Sequence, residues 1–379
     1  MRTALVNGRV LAGEAIVTGQ AVLLADGRIE GIAPAADPRC REAESVDLEG
    51  QLLLPGFIDV QVNGGGGVLF NDDPSPESIR AIGAAHRQYG TTGFLPTLIS
   101  DDLDTIAQAI AAVQASLDAH QPGTLGIHIE GPFLNWARRG VHDPKHLRRL
   151  DNGVVSMLRS LRDGRTVLTL APEMTTTDMI ARLAAGGILI SAGHSDASYD
   201  QTAAAIAHGV RGFTHLFNAM APLAPREPGI VAAALYDANT WCGIIVDGHH
   251  VDPVMLKLAL RCKRHDRFML VTDAMPPVGS PATSFILQGR TIQVVDGVCR
   301  DENGTLAGTG LDMATAVRNA VHLLGLSISE AARMASEYPA AFLRLEHELG
   351  RIAPGFRANL VLMDDELRVR RTWIEGISS

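Results

Sequence analysis

Aromatic residues are scarce in this chain, 4% of 379 residues, although 46% of the residues are hydrophobic. A core so apolar and so poor in rings must be built from Ala, Val, Leu and Ile, which suits parallel strands covered by helices. Cysteine is scarce too. Cys40, Cys242, Cys262 and Cys299 form no CxxC pair, which argues against a thiolate metal centre and fits reduced thiols in a cytoplasmic protein. No apolar run reaches the roughly 18 to 20 residues of a membrane span, and MRTALVNGRVLAGEA lacks the layout of a signal peptide. Basic residues are outnumbered, 33 Lys and Arg against 42 Asp and Glu, for a net charge of -9. That balance turns the reading away from nucleic acid and anionic membrane as partners.

Against this background four polar motifs stand out, each arriving at the end of an apolar run: Glu130 in IHIEGPF, His194 in LISAGHS, His215 in GFTHLFNAM and Asp273 in FMLVTDAM. β-type residues precede each one, and Gly, Ser and Ala follow Glu130, His194 and Asp273, so each of the four reads as the last residue of a buried strand. Buried carboxylates and imidazoles are costly unless paired. Taken singly, Glu130 reads as an arginine partner, His194 and His215 as core or capping histidines, and Asp273 as a helix cap. Together they suggest one metal-centred site, since two histidines and a carboxylate with an open position form the ligand set of a catalytic zinc. His128 shares a strand face with Glu130 by period two, and its role stays open between lining the site and filling the core.

The organisation of the chain supports such a convergence. The first fifty residues are short strands, TALVNGRVL, AVLLADGRIEGIA and SVDLEGQLLL, with NG and DG between them as hairpin signals. A similar texture returns in ANLVLMDD and VRRTWIEG, so the two ends are expected to pair into one small β-sandwich. Between them strands alternate with helices, as in GFIDVQV followed by SPESIRAIGAAHRQYG. About eight such units predict a (β/α)8 barrel of the TIM type, with a doubly wound sheet as runner-up, weakened by the absence of a GxGxxG motif. The expected divisions are 1–53, 54–344 and 345–379, the first and last forming the β domain. In a barrel, strand carboxyl ends share one face, which would gather Glu130, His194, His215 and Asp273. His142, Arg226 and His250 fall in loops after barrel strands.

The set PGFIDVQVNG, HIEGPF, LAPE, SAGHS, THLFNAM, REPG, DGHHVD and VTDA, in this order, resembles the N-acetylglucosamine-6-phosphate deacetylase branch of the amidohydrolase superfamily. The resemblance runs over nearly the whole chain. It implies that Glu130, His194 and His215 hold one divalent metal ion per subunit, commonly zinc, and that Asp273 is the catalytic acid and base. It implies substrate contacts from His142, Asn218, Ala219, Arg226 and His250, a phosphorylated amino sugar as substrate, and a homodimer in which Arg226 reaches the neighbouring subunit's pocket. Where many amidohydrolases carry HxH for a second metal, this chain has Gln61 and Asn63, and neutral amides are poor ligands beside imidazole. The expected reaction is hydrolysis of the acetamide to an amine and acetate. The 4-epimeric N-acetylgalactosamine 6-phosphate and other amides remain alternatives, and a scaffold without activity would be expected to have lost these ligands.

Overall fold

Apolar residues without alternation, flanked by helices, form strands buried on both faces, and the barrel is built from them. The computed structural model describes residues 2–379. Its eight parallel strands are Phe57–Val62, Thr91–Ile99, Gly126–Glu130, Arg165–Leu170, Leu189–Ala192, Val210–Phe213, Trp241–Ile244 and Phe268–Leu270, hydrogen-bonded in chain order. Every residue of Phe57–Val62, Thr91–Ile99 and Gly126–Glu130 is buried. Intervening helices start at side-chain caps: Ser75 accepts from Ser78 N, Thr176 from Met179 N, and Ser198 forms a reciprocal box with Gln201. No described helix is long and apolar enough to cross a membrane.

Between the last strand and the first, no ladder forms among the described residues. The seam is closed by a single parallel bridge, Val62 to Ala274, by Asp273 N donating to Gln61 O at 3.0 Å, and by the buried Asp59 carboxylate. Asp59 Oδ2 accepts from Thr272 Oγ1 at 2.5 Å, and Oδ1 accepts from Gln61 N at 3.1 Å. Barrel closure therefore runs through a side chain bonded to Thr272, the residue before Asp273.

Both chain ends build the β domain, as expected. One sheet contains Arg2–Val6, Gln20–Ala25, Arg28–Pro34 and Glu44–Asp47. The other contains Arg9–Ala12, Ala15–Val17, Leu52–Pro55, Leu360–Met363, Val369–Ile374 and Ile377–Ser378. Leu5, Val22 and Ile29 of the first pack on Val10, Leu53, Leu360 and Trp373 of the second, which makes a sandwich. Asp26-Gly27 does turn a hairpin, with φ of 50° and 75°. Asn7-Gly8 does not. It forms a corner between the two sheets, where a Cβ on Gly8 would lie 2.6 Å from Leu48 Cδ1.

One element was not anticipated. After the eighth strand, Ser284–Leu287, Arg290–Val295, Val298–Arg300 and Leu306–Thr309 form an antiparallel meander before the helix Met313–His322. Its turn signals, Gln288-Gly289 and Asp296-Gly297, are plain in the sequence, and all four residues have positive φ. Leu287, Ile292 and Ala307 pack on Ile99 and Val141 at the barrel mouth.

Candidate active site

Glu130 is the last residue of the third barrel strand, as its motif implies. The other three depart from the expectation: His194, His215 and Asp273 lie two or three residues beyond their strands, with φ of 47°, 33° and 52°. Left-handed backbone costs a non-glycine residue about 1–3 kcal/mol and persists only where the surroundings over-determine it. Here they do. Asn135 N donates to His194 O at 3.0 Å, Leu216 N to Gly243 O at 2.8 Å, and Thr309 N to Asp273 O at 2.9 Å. The kinks turn all three side chains towards Glu130 over the barrel mouth.

Glu130 Oε1 lies 3.2 Å from His194 Nε2 and 3.0 Å from His215 Nε2, and the two nitrogens are 3.0 Å apart. Bonds of about 2.0–2.2 Å to a tetrahedral ion give donor separations of about 3.3–3.6 Å, a few tenths of an ångström wider than this spacing. The proton count points the same way. His194 Nδ1 faces the Arg138 carbonyl at 2.9 Å, which can only accept, so the neutral ring presents a bare Nε2 to the carboxylate. Lone pairs converging in a buried place fit a cation. Burial alone would raise the Glu130 carboxyl, but its contacts with His194 and His215 hold it well below the usual range. Burial likewise opposes a charge on His215, and the Glu130 contact outweighs it and raises that imidazole.

Asp273 sits beside this trio. Asn63 Nδ2 donates to its Oδ1 at 2.6 Å, and Gln61 Nε2 lies 3.2 Å from the same atom. Gln61 Nε2 also lies 3.3 and 3.2 Å from the two Glu130 oxygens. Gln61 thus puts a hydrogen-bond donor between the two carboxylates, and Asn63 adds a second donor to Asp273. Burial, and then the Glu130 charge, push Asp273 up to about 6, within reach of proton exchange near neutrality.

A cavity of about 450 Å³ opens above these residues, a size suited to a small metabolite. His142, Asn218, Ala219 and His250 line it, as do Arg138, Arg300 and Thr305. His142 Nδ1 receives Ser100 N at 3.2 Å and lies 2.7 Å from Ser100 Oγ, and burial pushes this imidazole down to about 3. His250 Nδ1 lies 2.6 Å from Asp247 Oδ2. Burial would raise Asp247, yet that contact holds it at about 2. Asn218 turns its amide NH2 back on His215 O at 3.1 Å. Arg226 is exposed and lies outside the cavity lining, in the turn before the helix Gly229–Tyr236. His128 belongs to the barrel interior, bonded to Thr169 Oγ1 at 2.7 Å, and burial pushes it down to about 4.

Sequence reasoning missed several supports. Glu173, in the turn after the fourth strand, accepts from Ser195 Oγ at 2.7 Å, Asn135 Nδ2 at 2.9 Å and Asp196 N at 2.6 Å. It ties the loop bearing His194 to the loop after Glu130. The LAPE motif was the available signal. Arg138 pairs with Asp196 at 2.8 Å, whereas the Arg300 side chain bonds Gly304 O at 3.1 Å.

The chain is 47% identical over 326 residues to the N-acetylgalactosamine-6-phosphate deacetylase of Shewanella sp. (strain ANA-3), covering 86% of this chain and 82% of that protein. It is 35% identical over 379 residues to the N-acetylglucosamine-6-phosphate deacetylase of Haemophilus influenzae, covering 99% of each. The crystal structure of N-acetylglucosamine-6-phosphate deacetylase from Pasteurella multocida superposes with a TM-score of 0.96 at 35% identity, covering 100% of both chains. A sequence model of the amidohydrolase family matches residues 52–377, and the chain belongs to that family.

Proposed function

We propose that this protein hydrolyses the acetamide of N-acetyl-D-glucosamine 6-phosphate, releasing acetate and D-glucosamine 6-phosphate. The observation that carries the reading is the placement of Asp273, held by Asn63 and Gln61 at the edge of the Glu130, His194 and His215 cluster. The names of the Haemophilus and Pasteurella relatives supply the substrate class. A single divalent ion, zinc in our reading, would be held by Glu130, His194 and His215. When bound it supplies Lewis acidity at the amide carbonyl and lowers the pKa of a water.

The chain's own residues do the rest. Asp273 takes the proton from the attacking water at its carboxylate and delivers it to the departing amine nitrogen. His142 steadies the carbonyl oxygen as it gains charge. His250, Asn218 and Ala219 hold the sugar phosphate, and Arg226 from a second subunit completes the phosphate contacts. Binding the phosphate far from the acetyl group raises the effective molarity of the amide at the reacting groups.

A second reading, the 4-epimer N-acetyl-D-galactosamine 6-phosphate, is favoured by the Shewanella relative at 47% identity. Acetate release measured on both 6-phosphates and on unphosphorylated N-acetylglucosamine separates the two. A higher kcat/KM on the galactosamine epimer would replace the first reading with the second, and no release from any of the three would end both.

A further inference from the structure

The second barrel strand ends at Ile99, and the next residue, Ser100, is buried against His142. A backbone N–H can only donate, so the 3.2 Å contact from Ser100 N makes His142 Nδ1 an acceptor. The Ser100 hydroxyl, 2.7 Å from the same nitrogen, must then donate too. With Nδ1 bare, the neutral ring carries its proton on Nε2, which meets no protein partner among the described residues, while the ring lines the cavity.

Ser100 is held in turn by Gln288, at the hairpin tip of the inserted meander. Gln288 Nε2 donates to Ser100 O at 2.7 Å, and its Oε1 accepts from Asp143 N at 2.7 Å. One partner can only accept and the other only donate, so an amide satisfies both and a carboxylate cannot. The Gln288 side chain thus joins the loop carrying Ser100 to the loop carrying His142.

We infer that Ser100 and Gln288 are positioning residues that hold His142 as the Nε2–H tautomer, aimed at the cavity as a hydrogen-bond donor. This rests on the deacetylase reading for its effect on rate, but not for the tautomer. The inserted meander is then a brace for the group that meets the developing oxyanion.

The test begins with ring-nitrogen NMR of the labelled, zinc-loaded enzyme, His142 being assigned by the signal lost in His142→Gln. A protonated Nε2 is expected, and a protonated Nδ1 would overturn the inference without any variant. Next, Ser100→Ala, Gln288→Ala and Gln288→Glu are assayed for kcat, KM and affinity for a substrate analogue whose acetamide is replaced by a tetrahedral phosphonamidate. Each should lower kcat by about tenfold and weaken the analogue by the same factor, with KM within about twofold. Unchanged kcat and analogue affinity, or losses confined to KM, would overturn the inference. If the wild type releases acetate from neither sugar phosphate, the deacetylase reading fails, and the spectrum alone decides the tautomer.

Discussion

Thr272 and Asp59 are joined across the barrel seam by a 2.5 Å hydrogen bond, the threonine hydroxyl donating to a fully buried carboxylate. Burial raises this carboxyl from 3.8 to about 7, although Thr272 and Gln61 favour its ionised form. Between those two values the folded chain keeps a proton that the unfolded chain has released, so stability falls as pH rises. The contribution is complete below about 3.8 and is lost as pH passes through about 7. Compared with Asp59→Asn, the wild-type Tm should fall more steeply between these pH values. Parallel Tm profiles for the two proteins would show that Asp59 is already ionised throughout.

Replacing Asp273 with asparagine keeps the hydrogen-bonding shape and removes the proton shuttle proposed for this residue. We expect kcat to fall by about 10² to 10⁴, with bound metal and substrate affinity close to wild type. Elemental analysis, calorimetry and steady-state rates check the three parts. A variant that keeps more than about a tenth of wild-type turnover excludes Asp273 from this role.

Chelation should abolish turnover and lower Tm, and zinc should restore both. An ion at a thousand times its Kd contributes about 4 kcal/mol to folding. Because Gln61 and Asn63 present amide donors to Glu130 and Asp273, fully active protein should contain one metal per chain. Two metals per chain at full activity would contradict the single-site reading.

Arg226→Ala should lower kcat/KM for the 6-phosphate by about 1.5–3 kcal/mol, the value of a charge-assisted hydrogen bond. Turnover of the unphosphorylated sugar should be unaffected. Equal losses on both substrates would assign Arg226 to the interface or the fold, and Arg300, which lines the cavity of its own chain, would be the next residue to test.

The barrel was legible because strand and helix periods alternate regularly along the chain, and Glu130 was legible because it ends a ladder. His194, His215 and Asp273 were legible as residues but misplaced in detail, since hydrophobic runs mark where a strand is buried and carry no sign of the left-handed step that follows. The meander from Ser284 to Thr309 had its Gln-Gly and Asp-Gly turns in plain view, but it interrupts the β/α rhythm that organised the reading. Ser100 and Gln288 could not have been found in this way. They lie 188 positions apart, and neither residue type signals chemistry until the fold brings the two together.

The sandwich has a consequence for synthesis. Leu52–Pro55 takes its antiparallel neighbour from Leu360–Met363, pairing Leu54 with Val361. At roughly 5 to 20 residues per second, tens of seconds separate the emergence of these two strands from the ribosome. Throughout that interval the nascent chain carries an unpaired, wholly apolar strand edge while the whole barrel is being made. The order of the strands therefore leaves this segment without its neighbour until nearly all of the chain has been made.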